Sequence, residues 1–261
     1  MSAVRQHLHI RVLGCSGGEM AGYLAPSLLF DERVLLDAGS FGTVLSLREQ
    51  LRIDDVLLSH AHCDHVKDLA GFADLVIGRR KTPVRVHASP EAMRVLRGDL
   101  FNNRLWPDFF SLPNPAEPVL REAVFLPGRA FRVGHLRVKA VPVTHPVETM
   151  GFLIHGPSGS LVYTGDTGPT ERLWREANRL SDLRLILMEC KFPSELQAVA
   201  DAAGHFTPGT LRAELRKIRA RRLPIWLYHI RPDCREDVLR EIRSLKDSRL
   251  RELRAGRRLV V

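Results

Sequence analysis

Residues 59–71 read SHAHCDHVKDLAG, and within them His60, His62, Asp64 and His65 form an HxHxDH pattern. No other stretch of the chain gathers so many metal-ligand side chains. It follows the apolar run VLLS (56–59), which reads as a short strand. It precedes VKDLAGFADLVIG, whose apolar residues recur three and four apart as in a helix. Side chains alternate in an extended segment, so His60 and His62 point to one side. Asp64 and His65 can then turn toward a second position nearby. One stretch thereby offers two ligands to each of two adjacent cations. Imidazoles and carboxylates suit zinc, and also manganese or iron. Cys63 points away from these neighbours in this scheme and reads as packing, not as a ligand.

The rest of the chain alternates strand and helix patterns. HIRVLG (9–14) reads as a buried strand ending in a Gly-rich turn, and SLLFDERVLLDAG (27–39) as a hairpin turning near Asp31 and Glu32. FGTVLSLREQL (41–51) has helical spacing, PVRVHA reads as a strand, and Ser89-Pro90 opens a helix by capping. Residues 101–118, rich in Pro and Asn, form an excursion. Its Trp106 and Phe109 could stack on a base or anchor the excursion to the core. FRVGHLRVKAVPVTH, GFLIHGPSGSLVYTGD and PIWLYHI give strands, Thr207-Pro208 opens another helix, and RRLVV suits a last strand. With no low-complexity linker and no short repeat, the expectation is a single α/β domain over residues 1–261.

A chain that is 44% hydrophobic and 26% charged can bury a substantial core. No apolar run is long enough to span a bilayer, and MSAVRQHLHIRVLG lacks the basic-then-apolar pattern of a signal peptide. A soluble cytoplasmic protein without a membrane partner is expected. The four cysteines are scattered with no CxxC pair, as for reduced thiols. A formal net charge of +9 would attract polyanions, but it is spread along the chain. Its densest stretches, LRAELRKIRARR (211–222) and SRLRELRAGRR (248–258), read as solvated helix faces. Charge alone does not assign a nucleic-acid surface.

Two cations need more ligands than the HxHxDH stretch holds. His145 in VPVTHP, Asp166 in VYTGDTG and His229 in WLYHIRP each follow an apolar run and precede a turn, where an α/β sheet exposes its chemistry. Taken in order, HAHCDH, His145, TGDTG and His229 resemble the metallo-β-lactamase fold along essentially the whole chain. That resemblance implies a four-layer αββα sandwich. It also implies one cation on His60, His62 and His145, a second on Asp64, His65 and His229, and Asp166 shared by both. The residual positive charge of such a centre suits an anionic phosphodiester, hydrolysed by attack of a metal-activated hydroxide.

LGCSGG, LLDAGSFG, DHVKDLAG, NRLWPDF, and MECKFPSELQAVADAAGHFTP (188–208) followed by HIRP are similar to the class II 3′,5′-cyclic-nucleotide phosphodiesterases. GHFTP is also similar to the HxT motif of the tRNA 3′-end processing endonucleases. The resemblance implies that His205 stabilises the phosphorane or protonates the leaving alkoxide. Glu189 would orient it and Thr207 would donate to a phosphate oxygen, unless Thr207 only caps a helix. Asp64 counts among the catalytic positions, and Asp37 is expected to support a ligand from behind. His7, His9, His87, His135 and His155 match no partner motif and read as structural or exposed.

The leading expectation is hydrolysis of a 3′,5′-cyclic nucleotide to the 5′-nucleotide. An RNA-processing nuclease, a thioester, lactone or other ester hydrolase, and a metal-binding module without turnover are the alternatives. The fold also accommodates a homodimer, though no stretch marks an interface.

Overall fold

The computed structural model describes residues 7–261. The N-terminal leader reading falls partly on residues 1–6, outside the described residues. The first half of the chain supplies β1 (His9–Gly14), β2 (Ser27–Phe30), β3 (Val34–Leu36), β4 (Asp55–Leu57), β5 (Val84–Ala88) and β6 (Leu120–Val124). The second supplies β7 (Ala130–Val133), β8 (Leu136–Pro142), β9 (Met150–His155), β10 (Ser160–Tyr163), β11 (Leu183–Glu189), β12 (Ile225–Tyr228) and β13 (Leu250–Glu252). A final strand, β14 (Arg258–Val260), returns to the first sheet and pairs with β1. The sheet orders are β14-β1-β2-β3-β4-β5-β6 and β13-β12-β11-β10-β9-β8-β7.

Alternation along these strands sends side chains to two sides and builds three apolar layers. Ile10, Val12, Leu28, Val138, Phe152, Tyr163 and Trp226 fill the space between the sheets. Outside the first sheet, Leu29, Val56 and Val86 pack with Leu69, Phe72 and Ala73 of helix α2, numbered with α1 as Leu47–Gln50 and α2 as Cys63–Val76. The next helices are α3 (Pro90–Val95), α4 (Arg172–Ala177), α5 (Gln197–Ala203), α6 (Pro208–Lys217) and α7 (Arg235–Ser244). Trp174 of α4, Leu211 of α6 and Val238 of α7 cover Ile186 and Leu227 on the outer face of the second sheet. Helix, sheet, sheet, helix is the expected αββα sandwich.

The 27–39 hairpin turns where expected, with Asp31 and Glu32 both at positive φ and Arg33 N donating to Phe30 O. Three expectations are corrected. The helix over 41–51 shrinks to Leu47–Gln50. Asp68 takes the N–H groups of Phe41 and Gly42, and Ser46 with Glu49 starts the helix as a capping box. SRLRELRAGRR is no helix face, because β13 and β14 use it to close an edge of each sheet around a turn at Gly256. Cys63 is exposed at the start of α2, not packed.

Candidate metal centre

The site gathers at the carboxyl ends of strands from both sheets. β3 leads to Asp37, β4 to Ser59, His60 and His62, β8 to His145, β10 to Asp166, β11 ends in Glu189, and β12 leads to His229. His65 lies within the first turn of α2. All seven expected ligand residues converge. His60, His62 and His145 form one group, and Asp64, His65, Asp166 and His229 another, with the donor atoms of each within 4.8 Å of one another.

The spacing inside these groups tests whether a cation fits. His62 Nδ1 lies 3.2 Å from His145 Nε2. His229 Nε2 lies 3.3 Å from Asp64 Oδ2, 3.3 Å from Asp166 Oδ2 and 3.4 Å from His65 Nε2. Ligands about 2.0–2.2 Å from a tetrahedral zinc stand roughly 3.3–3.6 Å apart, so the set has the right size. Hydrogen bonding sets the imidazoles as well. His60 Nδ1 meets Ser59 Oγ at 3.0 Å, and that hydroxyl donates to Asp37 Oδ2 at 2.9 Å. His65 Nδ1 donates to Asp37 Oδ2 at 2.8 Å, and His145 Nδ1 to Gly204 O at 3.0 Å. Each bond turns an Nε2 lone pair toward the centre, the arrangement in which outer hydrogen bonds fix a ligating tautomer. His60 Nε2 and Asp166 Oδ1 are buried without a hydrogen-bond partner. Buried polar atoms normally have one, so these are atoms suited to a cation.

Electrostatics divides the donor histidines. Burial holds His60, His145 and His229 toward the neutral form that a metal requires, His145 at about 4. Burial opposes a charged His65, but Asp166 and Asp37 outweigh it and raise that ring. For Asp166, burial is outweighed by His229 and His65, which hold its carboxyl well below the usual range.

His205 stands beside both groups. Its ring stacks on His229 at 5.4 Å between centroids and lies 5.0 Å from that of His145. Two further clusters include it, one with His145 and Asp166 and one with Glu189 and His229. Its hydrogen bonds argue against a ligand role. Nδ1 donates to Glu189 Oε1 at 2.9 Å, and Nε2 accepts from Lys191 Nζ at 3.2 Å. Glu189 Oε1 also accepts from Thr167 N, which seats it beneath the ring. Burial, then Asp166, pushes Glu189 up to about 8, and burial takes His205 down to about 4.

Local backbone makes the approach possible. Gly204 ends α5 in the left-handed region at φ 65, which turns the chain so that its carbonyl faces His145. At Gly17, a Cβ would collide with the carbonyl oxygen of His229, so the loop after β1 can lie against that ligand only as glycine.

Thr207 is fully buried as the N-cap of α6. Its hydroxyl accepts from Thr210 N and donates to Gln197 Oε1, so a phosphate contact has no support in this geometry. Asp37 takes the supporting place expected of it. Phe109 is buried against Phe101, whereas Trp106 is partly exposed. His87 and His135 hold Asp55 and Asp31, and His155 meets Ser160.

Sequence reasoning passed over Ser59, Tyr163 and Lys191. Tyr163 donates to Asp37 Oδ2 at 2.7 Å, yet inside SLVY it reads as core. Ser59 directly precedes the motif, and Lys191 stands two residues after Glu189. Their neighbours were the available signal.

A model of the beta-lactamase superfamily domain matches residues 32–230. The chain belongs to this superfamily. With two ligand groups on the superfamily's fold, it is a metal-dependent hydrolase with a binuclear site. Over 230 residues it is 29% identical to a probable 3′,5′-cyclic-nucleotide phosphodiesterase of Yersinia pestis, covering 75% of this chain and 64% of that one. The match thus spans a little under two thirds of that relative. Unliganded yeast PDE1 superposes with a TM-score of 0.82 at 17% identity, covering 98% of this chain and 100% of that one. Human tRNase Z, short form, gives 0.69 at 15% identity, covering 96% and 98%. These two likenesses are of fold. Among the described residues no helix is long and apolar enough to cross a membrane.

Proposed function

We propose that this superfamily member hydrolyses a phosphodiester, with 3′,5′-cyclic nucleotides as the substrate class and 5′-nucleotides as products. The observation that carries the reading is His205. Glu189 holds it through Nδ1 against both ligand groups, and its Nε2 meets Lys191 and no member of either group, so the ring stands beside the site as a group for the substrate. The name of the Yersinia pestis relative supports the choice of diester.

In this reading His60, His62 and His145 hold one cation, Asp64, His65 and His229 the second, and Asp166 both. Zinc fits this donor set, with manganese or iron as alternatives. Bound there, two divalent cations would supply Lewis acidity and a nucleophilic water at neutral pH. The remaining chemistry belongs to the chain. Opening the P–O3′ bond joins a water oxygen to phosphorus and leaves an alkoxide that takes up one proton. In this reading His205 delivers that proton from Nε2 while Nδ1–H stays on Glu189. Burial keeps the ring neutral at rest, and an anionic diester beside it favours the protonated form.

The test is parallel turnover of cyclic AMP, cyclic GMP, a linear phosphodiester, precursor tRNA and a thioester by metal-analysed protein. Turnover of precursor tRNA alone would replace the reading with a tRNA 3′-end endonuclease, and of the thioester alone with an ester hydrolase. His205→Ala should keep both metals and lose roughly 10²–10⁴ in rate on a cyclic nucleotide. A diester with an activated aryl leaving group should lose much less, and Glu189→Gln should cost less than His205→Ala. Full activity, or loss of a metal, in His205→Ala would remove His205 from this role.

A further inference from the structure

Lys191 is a partly buried lysine that makes no direct pair with a carboxylate. Lys67, Lys139 and Lys217 each hold a carboxylate, and Lys81 and Lys246 lie exposed to water. Among the described residues Lys191 forms no salt bridge. Its ammonium instead donates to His205 Nε2 at 3.2 Å and lies 5.9 Å from the centre of the Phe192 ring. Its backbone is fixed from both sides. Lys191 N donates to Phe206 O at 3.1 Å, and Arg231 N donates to Lys191 O at 3.2 Å. The lysine is thereby held between the segment carrying His205 and the segment carrying His229.

A partly buried ammonium that holds no carboxylate directly, next to a group meant for substrate, is a position for an anion. We propose that Lys191 moves off His205 Nε2 to bind a non-bridging oxygen of the substrate phosphate, which frees that nitrogen to face the leaving oxygen. This deepens the phosphodiesterase reading by assigning a residue that selects for an anionic substrate. The contact also couples binding to catalysis. Until phosphate draws the ammonium away, His205 Nε2 is occupied as an acceptor and cannot present a proton.

The experiment compares the zinc-loaded parent with Lys191→Met and Lys191→Arg. Calorimetric binding of inorganic phosphate is the first readout, and hydrolysis of bis(p-nitrophenyl) phosphate the second. Lys191→Met should keep the zinc content and melting temperature. It should weaken phosphate roughly 10–100-fold, the range of a charge-assisted hydrogen bond, and raise KM for the diester more than it lowers kcat. Lys191→Arg should recover part of the phosphate affinity. Phosphate affinity and KM unchanged in Lys191→Met, loss of zinc from that variant, an arginine no better than methionine, or a parent that binds no phosphate would each overturn the assignment. Phosphate binding that depends on Lys191 in a parent that cleaves no diester would leave the lysine assigned and refute the proposed reaction. Diester turnover indifferent to Lys191 would do the reverse.

Discussion

Asp166 reaches across the site at the scale of single residues. Its Oδ2 lies 3.3 Å from His229 Nε2, 3.4 Å from His65 Nε2 and 3.9 Å from His60 Nε2. In the proposed site such a carboxylate is shared by both cations, whereas His229 belongs to the group with Asp64 and His65. Asp166→Ala should therefore weaken both metals, and His229→Ala chiefly one. Metal analysis after dialysis against a graded chelator separates these outcomes. A variant without Asp166 that keeps parental stoichiometry and affinity would end the shared-ligand model. His65 shows why one residue cannot be read alone. Its donor atom is useful only because Asp37, held in turn by Ser59 and Tyr163, fixes the other side of the ring.

Between elements, the parallel pairing of β4 with β5 is pinned away from the metal groups by a buried carboxylate. Asp55 accepts from Arg85 Nε and Nη2, both at 2.6 Å, and from His87 Nε2 at 2.7 Å. Burial alone would raise the Asp55 pKa, but these bonds, His87 first, bring it below the ordinary carboxylate value. A depressed folded-state pKa gives stability that is present above the unfolded value of about 3.9 and disappears as pH falls through the folded value. Asp55→Asn should thus cost about 1.5–3 kcal/mol at pH 7, the range for hydrogen bonds to charged groups. The difference from the parent should narrow below about pH 4. Denaturant titrations of both proteins at pH 7 and in acid measure it. A difference that stays constant with pH would exclude this carboxylate as the cause.

For the molecule as a whole, charge and connectivity make separate demands. Arg212, Arg216, Arg219, Arg221 and Arg222 are exposed along α6 and beyond its end, where a polyanion could reach them. A cyclic nucleotide releases few counterions on binding. RNA bound through several arginines should lose affinity with a logarithmic slope of about −0.7 per neutralised phosphate. The proposed small substrate thus predicts a shallow salt dependence of KM and little effect of Arg212→Ala with Arg216→Ala. A steep slope that the double substitution flattens would favour RNA. Connectivity bears on cooperativity. β14 rejoins the first sheet beside β1 after the second sheet is complete, and both sheets share one apolar layer. We propose that residues 1–261 fold as one unit, so metal-free protein should melt in a single transition seen alike by circular dichroism and Trp fluorescence.

The HxHxDH ligands were legible in the sequence because their geometry is local. A strand exit with period-two alternation, followed at once by the first turn of α2, sets four donors within six residues. His145, Asp166 and His229 could be proposed because each ends an apolar strand. The 27–39 turn was legible for the same reason, since its strands are neighbours in the chain. Tertiary structure decided which of these meet. His62 and His145 are 83 positions apart, Asp64 and His229 are 165 apart, and the Tyr163 hydroxyl finds Asp37 across 126. Those contacts exist only because two sheets pack face to face, which no local pattern encodes. The same packing turned SRLRELRAGRR into two edge strands, exposed Cys63, tied the Thr207 hydroxyl to Gln197 of α5, and set Lys191 against His205. Local spacing determines which side chains can be ligands, and the packing of distant strands determines what each ligand touches.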